Sequence, residues 1–172
     1  AAVFTYNLCV RTGAMDVIGS MITSISSDRR LLALLVAWCF GGFMEGMAGF
    51  GTAVAIPAGM LAGLGFEAVP AVLICLLANG VPTPYGSIGI PTVSVADLVG
   101  LDSLHLATVQ LVQLAPFFVV MPLFIVLVAG RVADDQGNVA SVGERLRGVA
   151  GIALLSGASF VGAALVVAMF VG

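Results

Sequence analysis

The chain has 172 residues, 60% of them hydrophobic and 9% charged, with a formal charge of −3 and a mean hydropathy of +1.18. This composition excludes a soluble domain and implies an all-α polytopic membrane protein, whose helices satisfy their backbone hydrogen bonds within each segment. There is no Lys, and the six Arg stand at positions 11, 29, 30, 131, 145 and 147, so nucleic acid binding has no footprint.

Ala1 to Val10 reads as the tail of an earlier apolar helix, and the lack of a starting Met or a basic leader suggests a piece of a longer protein. In Arg11–Ser27, Met15, Ile18, Ile22 and Ile25 alternate with Asp16, Ser20 and Thr23, which predicts an amphipathic helix at the bilayer interface. Residues 1–30 thus form one unit, closed by "SSDRR", where Ser27 or Asp28 caps the next helix and two Arg sit among headgroups.

Residues 31–66 hold two apolar runs, Leu31–Phe43 and Thr52–Leu64, separated by Gly41, Gly42, Gly46, Gly49 and Gly51. Each is roughly 20 Å long as helix, short of the ~30 Å hydrocarbon core, so the pair is expected to be a re-entrant hairpin. Residues 67–108 begin with a short helix, Val69–Ala78, which "NGVPTPYGSIGIPT" interrupts; three Pro and three Gly there exceed what a kink requires. Ser94 and Asp97 suggest the start of a short external helix over Val95–Ala107.

Residues 109–130 lie in a spanning helix that begins near Thr108 and carries Pro116 and Pro122. A polar loop, 131–147, is expected to be cytoplasmic, and 148–172 form a last membrane helix with Gly151, Gly157 and Gly162 for close packing. A hairpin that does not cross, one broken crossing and one return put both Arg-bearing segments on the cytoplasmic side.

Glu45 is the residue that composition least explains. An ionised carboxylate in hydrocarbon is costly, so it is paired, protonated or wet. It is read as a proton carrier or a polar strut at the hairpin tip, against the alternative of a side chain reaching headgroups. Gly49, Gly51 and Thr52 would present free amides at the positive end of the second hairpin helix, a place for an anion. Asn79, Thr83 and Ser87 supply the facing polar groups from the broken segment, with Pro82, Pro84, Gly86, Gly89 and Pro91 as its hinge.

The pairs Gly42/Gly46 and Gly59/Gly63 suit close helix contact. Gln110 and Gln113 read as interhelical hydrogen-bonding groups, Asp97 and Asp102 as caps, and His105 as a surface residue. Cys9, Cys39 and Cys75 match no metal spacing and read as buried reduced thiols, so no metal or cofactor is expected. No nucleophile and base pair suggests an enzyme.

"GGFMEGMAGFGTAVAIPAGMLAGLGF" and "NGVPTPYGSIGIP" resemble the two signature stretches of the lactate permease family, and "SSDRR" its basic turn, over roughly Tyr6 to Pro91. The positions that match are Glu45, Gly49, Phe50, Gly51 and Thr52, then Asn79, Pro82, Gly86, Gly89 and Pro91. Ala53, Gly80 and Thr83–Tyr85 depart from the family's usual residues. The resemblance implies the N-terminal half of an inverted-repeat transporter, completed by the remaining half and open to homo-oligomerisation. It also implies proton-coupled uptake of lactate or glycolate, a small monocarboxylate, across the cytoplasmic membrane of a prokaryote. A small-anion channel and a non-transporting membrane subunit are the competing readings.

Overall fold

The computed structural model describes residues 8, 11–49, 51–131 and 140–170, and every regular element among them is helical. The expected helix tail at 1–10 except Leu8 (Cys9 included), Phe50, all of 132–139 and residues 171–172 lie outside the described residues, as do the side chains of Met15, Asp16, Ile18 and Thr23.

The first helix, α1, covers Ala14–Ile25. Asp28 then caps α2 by accepting from the Arg30 amide. That helix runs from Arg29 to Met47, 19 residues, and is apolar and long enough to cross a membrane. Gly41 and Gly42 therefore do not end the first run at Phe43: the helix absorbs them, with Leu34–Phe40 wound as a π-helix. Glycine costs a helix only about 1 kcal/mol, and burial of Leu32, Leu34, Val36, Ala37 and Trp38 outweighs that.

The returning helix α3, Thr52–Gly63, has 12 residues, about 18 Å. It packs against α2 where Gly41 faces the Ala53 carbonyl and the Pro57 ring. Arg29 donates to the Gly65 carbonyl at 3.0 Å and stacks on Phe66 at 4.3 Å, so both ends of the α2–α3 hairpin lie at one face.

Next, α4 (Ala68–Gly80) buries Ala71, Ile74, Cys75 and Ala78 while Val69, Val72, Leu73 and Leu76 face outward. Such all-round apolarity belongs to a membrane helix. A 3-10 turn at Thr83–Tyr85 leads into α5, Gly86–Val99, bent by 66° from α4. Asn79 and Gly80 remain in the last turn of α4, so the interruption is shorter than expected.

The helix expected over Val95–Ala107 is divided instead, with left-handed Gly100 ending α5 and Asp102 capping α6 through the His105 amide. Asp102 is thus a cap, whereas Asp97 and Ser94 lie inside α5. The spanning helix α6 is Ser103–Ala129, 27 residues, continuous through Pro116 and Pro122.

Within the polar loop, α7 (Val142–Leu146) is held by a capping box between Ser141 and Glu144. The last helix, α8 (Ala150–Phe170), packs along α6. A Cβ on Gly157 would strike the Phe118 carbonyl, so this glycine sets the approach; Gly151 and Gly162 touch nothing and do not serve packing here. Gly42, Gly46 and Gly63 are open too, and Cys39 is exposed, unlike buried Cys75.

Phe118 is the fully buried centre of the core. Phe160 stacks on it at 4.6 Å, Trp38 meets it edge-on at 6.4 Å and Tyr85 lies 6.3 Å away. This aromatic group joins α2, α6 and α8 to the interrupted segment.

Candidate functional site

Two interruptions of helix meet within this bundle. Between α2 and α3, Gly49 (φ 54°) and Gly51 (φ 92°) take left-handed conformations that turn the chain back in four residues. Between α4 and the regular part of α5, Ser87, Ile88 and Gly89 are left-handed in succession, at φ 48°, 61° and 78°. Pro91 follows, its missing N–H and fixed φ suited to a right-handed helix start. For Ile88, β-branched and 79% exposed, the left-handed region carries strain.

The two interruptions interlock. Glu45, in the last turn of α2 and 3% exposed, sets its Oε1 against Gly86, leaving no room for a Cβ there. Ser87 Oγ in turn sits against Gly49 and donates to the Ala48 carbonyl at 3.1 Å. Each side thus supplies a glycine that receives the other side's polar group. Among the described residues the buried polar or charged side chains are Glu45 and Ser87, at this junction, and Thr92, further along α5.

Among the described residues two buried side-chain oxygens have no hydrogen-bond partner, Glu45 Oε2 at this junction and Asn79 Oδ1 in the last turn of α4. Buried polar atoms are normally paired, so these two call for a proton, a water or a solute. Arg29, Arg30 and Arg145 are engaged elsewhere, bonded to Gly65, to the 144–147 carbonyls and to Ala140 and Leu127. The chemistry on offer is proton exchange at one carboxyl and hydrogen bonding to a small solute. Among the described residues no group of His, Cys, Asp and Glu could hold a metal ion.

Of the residues singled out in the sequence, Glu45, Gly49, Gly86 and Ser87 are brought into contact. Gly51 caps α3 and Thr52 opens it, but the helix start is less free than expected. The Thr52 amide is bonded to the Gly49 carbonyl, and those of Val54 and Ala55 to the Gly51 carbonyl. Thr83 turns back to donate to the Asn79 carbonyl at 2.7 Å. Pro82 and Pro84 flank that turn, and Gly89 closes the left-handed run. His105 lies exposed in the first turn of α6.

Two residues, Tyr85 and Thr92, escaped the sequence reading. Tyr85 donates to the Ala107 carbonyl at 3.0 Å, and Thr92 Oγ1 lies 2.7 Å from the Pro84 carbonyl and 2.8 Å from the Gln110 amide. The polar pair Gln110 and Gln113 was the available signal, but only the rotation of α6 decides that Gln110 turns inward while Gln113 is exposed.

A family model described as L-lactate permease matches residues 1–172. The L-lactate permease of Streptococcus iniae is 43% identical over 100% of this chain and 34% of its own length. That of Bacillus subtilis (strain 168) is 44% identical over 74% of the chain and 23% of its own length. A glycolate permease of Escherichia coli (strain K12) is 40% identical over 73% of the chain and 22% of its own length. The chain therefore spans about a third or less of these relatives. No solved structure matches it. Since the match runs from the first residue to the last and takes in both interlocked interruptions, the chain belongs to the L-lactate permease family.

Proposed function

We propose that this chain is part of a secondary active transporter, not an enzyme, that takes up lactate or a related small monocarboxylate such as glycolate together with protons. Its setting is the cytoplasmic membrane of a prokaryote, and the rest of the solute site comes from the remaining length of the protein. The observation that carries this reading is the junction itself, where Glu45 meets Gly86 and Ser87 meets Ala48. Irregular backbone is tolerated at membrane depth where it is buried in protein or lines a wet cavity, and transporters build solute sites in that way.

In this reading the α2–α3 hairpin enters and leaves at the cytoplasmic face, as the Arg29–Gly65 bond supports. Glu45 binds and releases the coupled proton, the role its buried, unpartnered Oε2 suits. The solute carboxylate is held at Gly49, Gly51, Thr52, Asn79, Thr83 and Ser87, where the Thr83 and Ser87 hydroxyls must first leave the Asn79 and Ala48 carbonyls to donate to it; a monocarboxylate needs less cationic help there than a dianion. The names of the relatives, L-lactate permease and glycolate permease, favour the same substrate class.

Counterflow in proteoliposomes holding the full-length protein tests the reading. Labelled lactate should accumulate transiently against excess unlabelled lactate inside. Plain dissipation of the gradient would indicate a channel, and no flux at all a non-transporting subunit.

A further inference from the structure

We propose that Gln110 is a positioning residue for transport, holding the interrupted segment 85–92 in its left-handed conformation by donating a hydrogen bond to Thr92. The proposal rests on the transporter reading for its functional consequence and on geometry alone for its structural one.

A run of three left-handed residues that includes Ile88 does not persist unless its surroundings over-determine it. The restraints are identifiable. Before the run, Tyr85 Oη donates to the Ala107 carbonyl; after it, Thr92 meets Gln110. Ala107 and Gln110 are three residues apart on α6, one face of one helix, so a single rigid element grips both sides of the interruption. From the opposite side the run is held by the Ser87 bond to Ala48 and the Glu45 contact with Gly86.

Chemistry fixes the sense of the Thr92–Gln110 bond. Thr92 Oγ1 lies 2.7 Å from the Pro84 carbonyl and 2.8 Å from Gln110 Oε1. A hydroxyl has one proton and cannot donate to both. Turning the side-chain amide exchanges its oxygen for its nitrogen, an exchange that leaves the shape unchanged. Gln110 Nε2 then donates to Thr92 Oγ1, whose proton goes to the Pro84 carbonyl. The chain Gln110 to Thr92 to Pro84 is complete only with a donor at position 110. Thr92 is 3% exposed, so water does not readily replace that donor.

The test uses the full-length protein with Gln110→Leu, Gln110→Glu, Thr92→Val and, as the control, Gln113→Leu. Two readouts are taken: the lactate KM in counterflow, and the thiol-labelling rate of Ile88→Cys in each background without substrate. Gln110→Leu should raise KM about tenfold, as loss of one buried hydrogen bond allows, and should speed labelling at position 88. Gln110→Glu, which only accepts when ionised, should do the same, and Thr92→Val combined with Gln110→Leu should add little further. Gln113→Leu should change neither readout. If Gln110→Leu accumulates poorly, Gln110→Glu and Thr92→Val carry the comparison. Gln110 variants that match Gln113→Leu in KM and labelling overturn the proposal, as does a fall in the amount of carrier with KM and labelling unchanged. A wild type without lactate counterflow removes the transporter reading, and the labelling comparison still decides whether Gln110 holds the segment.

Discussion

Arg30 donates to the carbonyl of Arg145 at 2.7 Å, across 115 residues of chain. The same guanidinium pairs with Asp28 at 2.6 Å and reaches the Arg147 carbonyl at 3.2 Å. It therefore satisfies carbonyls at the end of α7 that the helix itself leaves open. Replacing Arg30 with Leu should lower stability by about 2 kcal/mol, since hydrogen bonds from a charged donor are individually worth about 1.5–3 kcal/mol and do not add fully. Arg30→Lys should recover little, because a point charge cannot reproduce the planar fork. Thermal unfolding in detergent checks this; an unchanged midpoint for Arg30→Leu would remove the clamp.

Acidification should loosen the same contact. Hydrogen bonding from Arg30 holds the Asp28 carboxyl below its ordinary value, and the Ser141 amide and hydroxyl do so for Glu144. A depressed pKa stabilises the fold above the ordinary carboxylate range, about 3.9 to 4.3, and that contribution disappears as pH falls through the lower folded values. The hydrogen-exchange protection of residues 140–147, corrected for the intrinsic pH dependence of exchange, should fall only below about pH 4. Asp28→Asn should flatten part of that response, and equal pH sensitivity with and without Asp28 would contradict it.

The same bond predicts sidedness. Single cysteines at Ser27 and Ser141 should label from one side of the membrane, the cytoplasmic side by the Arg distribution, and one at Ser103 from the other. Impermeant reagents in whole cells decide this, and Ser27 and Ser141 labelling from opposite sides is the outcome the contact forbids.

Glycines divide by what a methyl group would meet. Gly86→Ala would drive a Cβ into the Glu45 carboxyl, and Gly49→Ala would meet Ser87 while also straining φ at 54°. Both should abolish transport. Gly51→Ala has space and pays only for its left-handed backbone, about 1–3 kcal/mol. Gly42→Ala, helical with nothing near, should stabilise by roughly 0.5–1 kcal/mol. Uptake and melting temperature of the four variants test the order, and an active Gly86→Ala would break it.

Glu45→Gln separates a proton carrier from a strut. The amide keeps the volume and fits against Gly86 but cannot exchange a proton, so uphill accumulation should be lost while lactate exchange survives. In parallel, Thr52→Val and Asn79→Leu should weaken lactate affinity, each removing a hydrogen bond to a charged group worth about 1.5–3 kcal/mol. Uphill uptake with normal proton cotransport in Glu45→Gln, or unchanged affinity in both others, is the result that would reject these roles.

Asp28 as a cap, the short α3, and the stop in helix near Pro82 and Pro84 were legible because each depends on residues within a turn of one another. Helix limits were less legible. Gly41 and Gly42 read as breakers, yet burial along α2 carries the helix through them, and Gly100, which looks ordinary in sequence, divides α5 from α6.

Composition by itself determined that the chain lies in a membrane, and its continuous apolar runs determined that it does so as helices, which satisfy their backbone within each segment. Local chemistry determined that Glu45 and the Pro/Gly stretch are its unusual features. Tertiary structure alone decided that Gly86 receives Glu45, that Gly49 receives Ser87, and that Gln110 rather than Gln113 grips Thr92. Those pairings depend on the rotation and depth of whole helices, which are set by packing around Phe118 and at Gly157, and no local pattern encodes them.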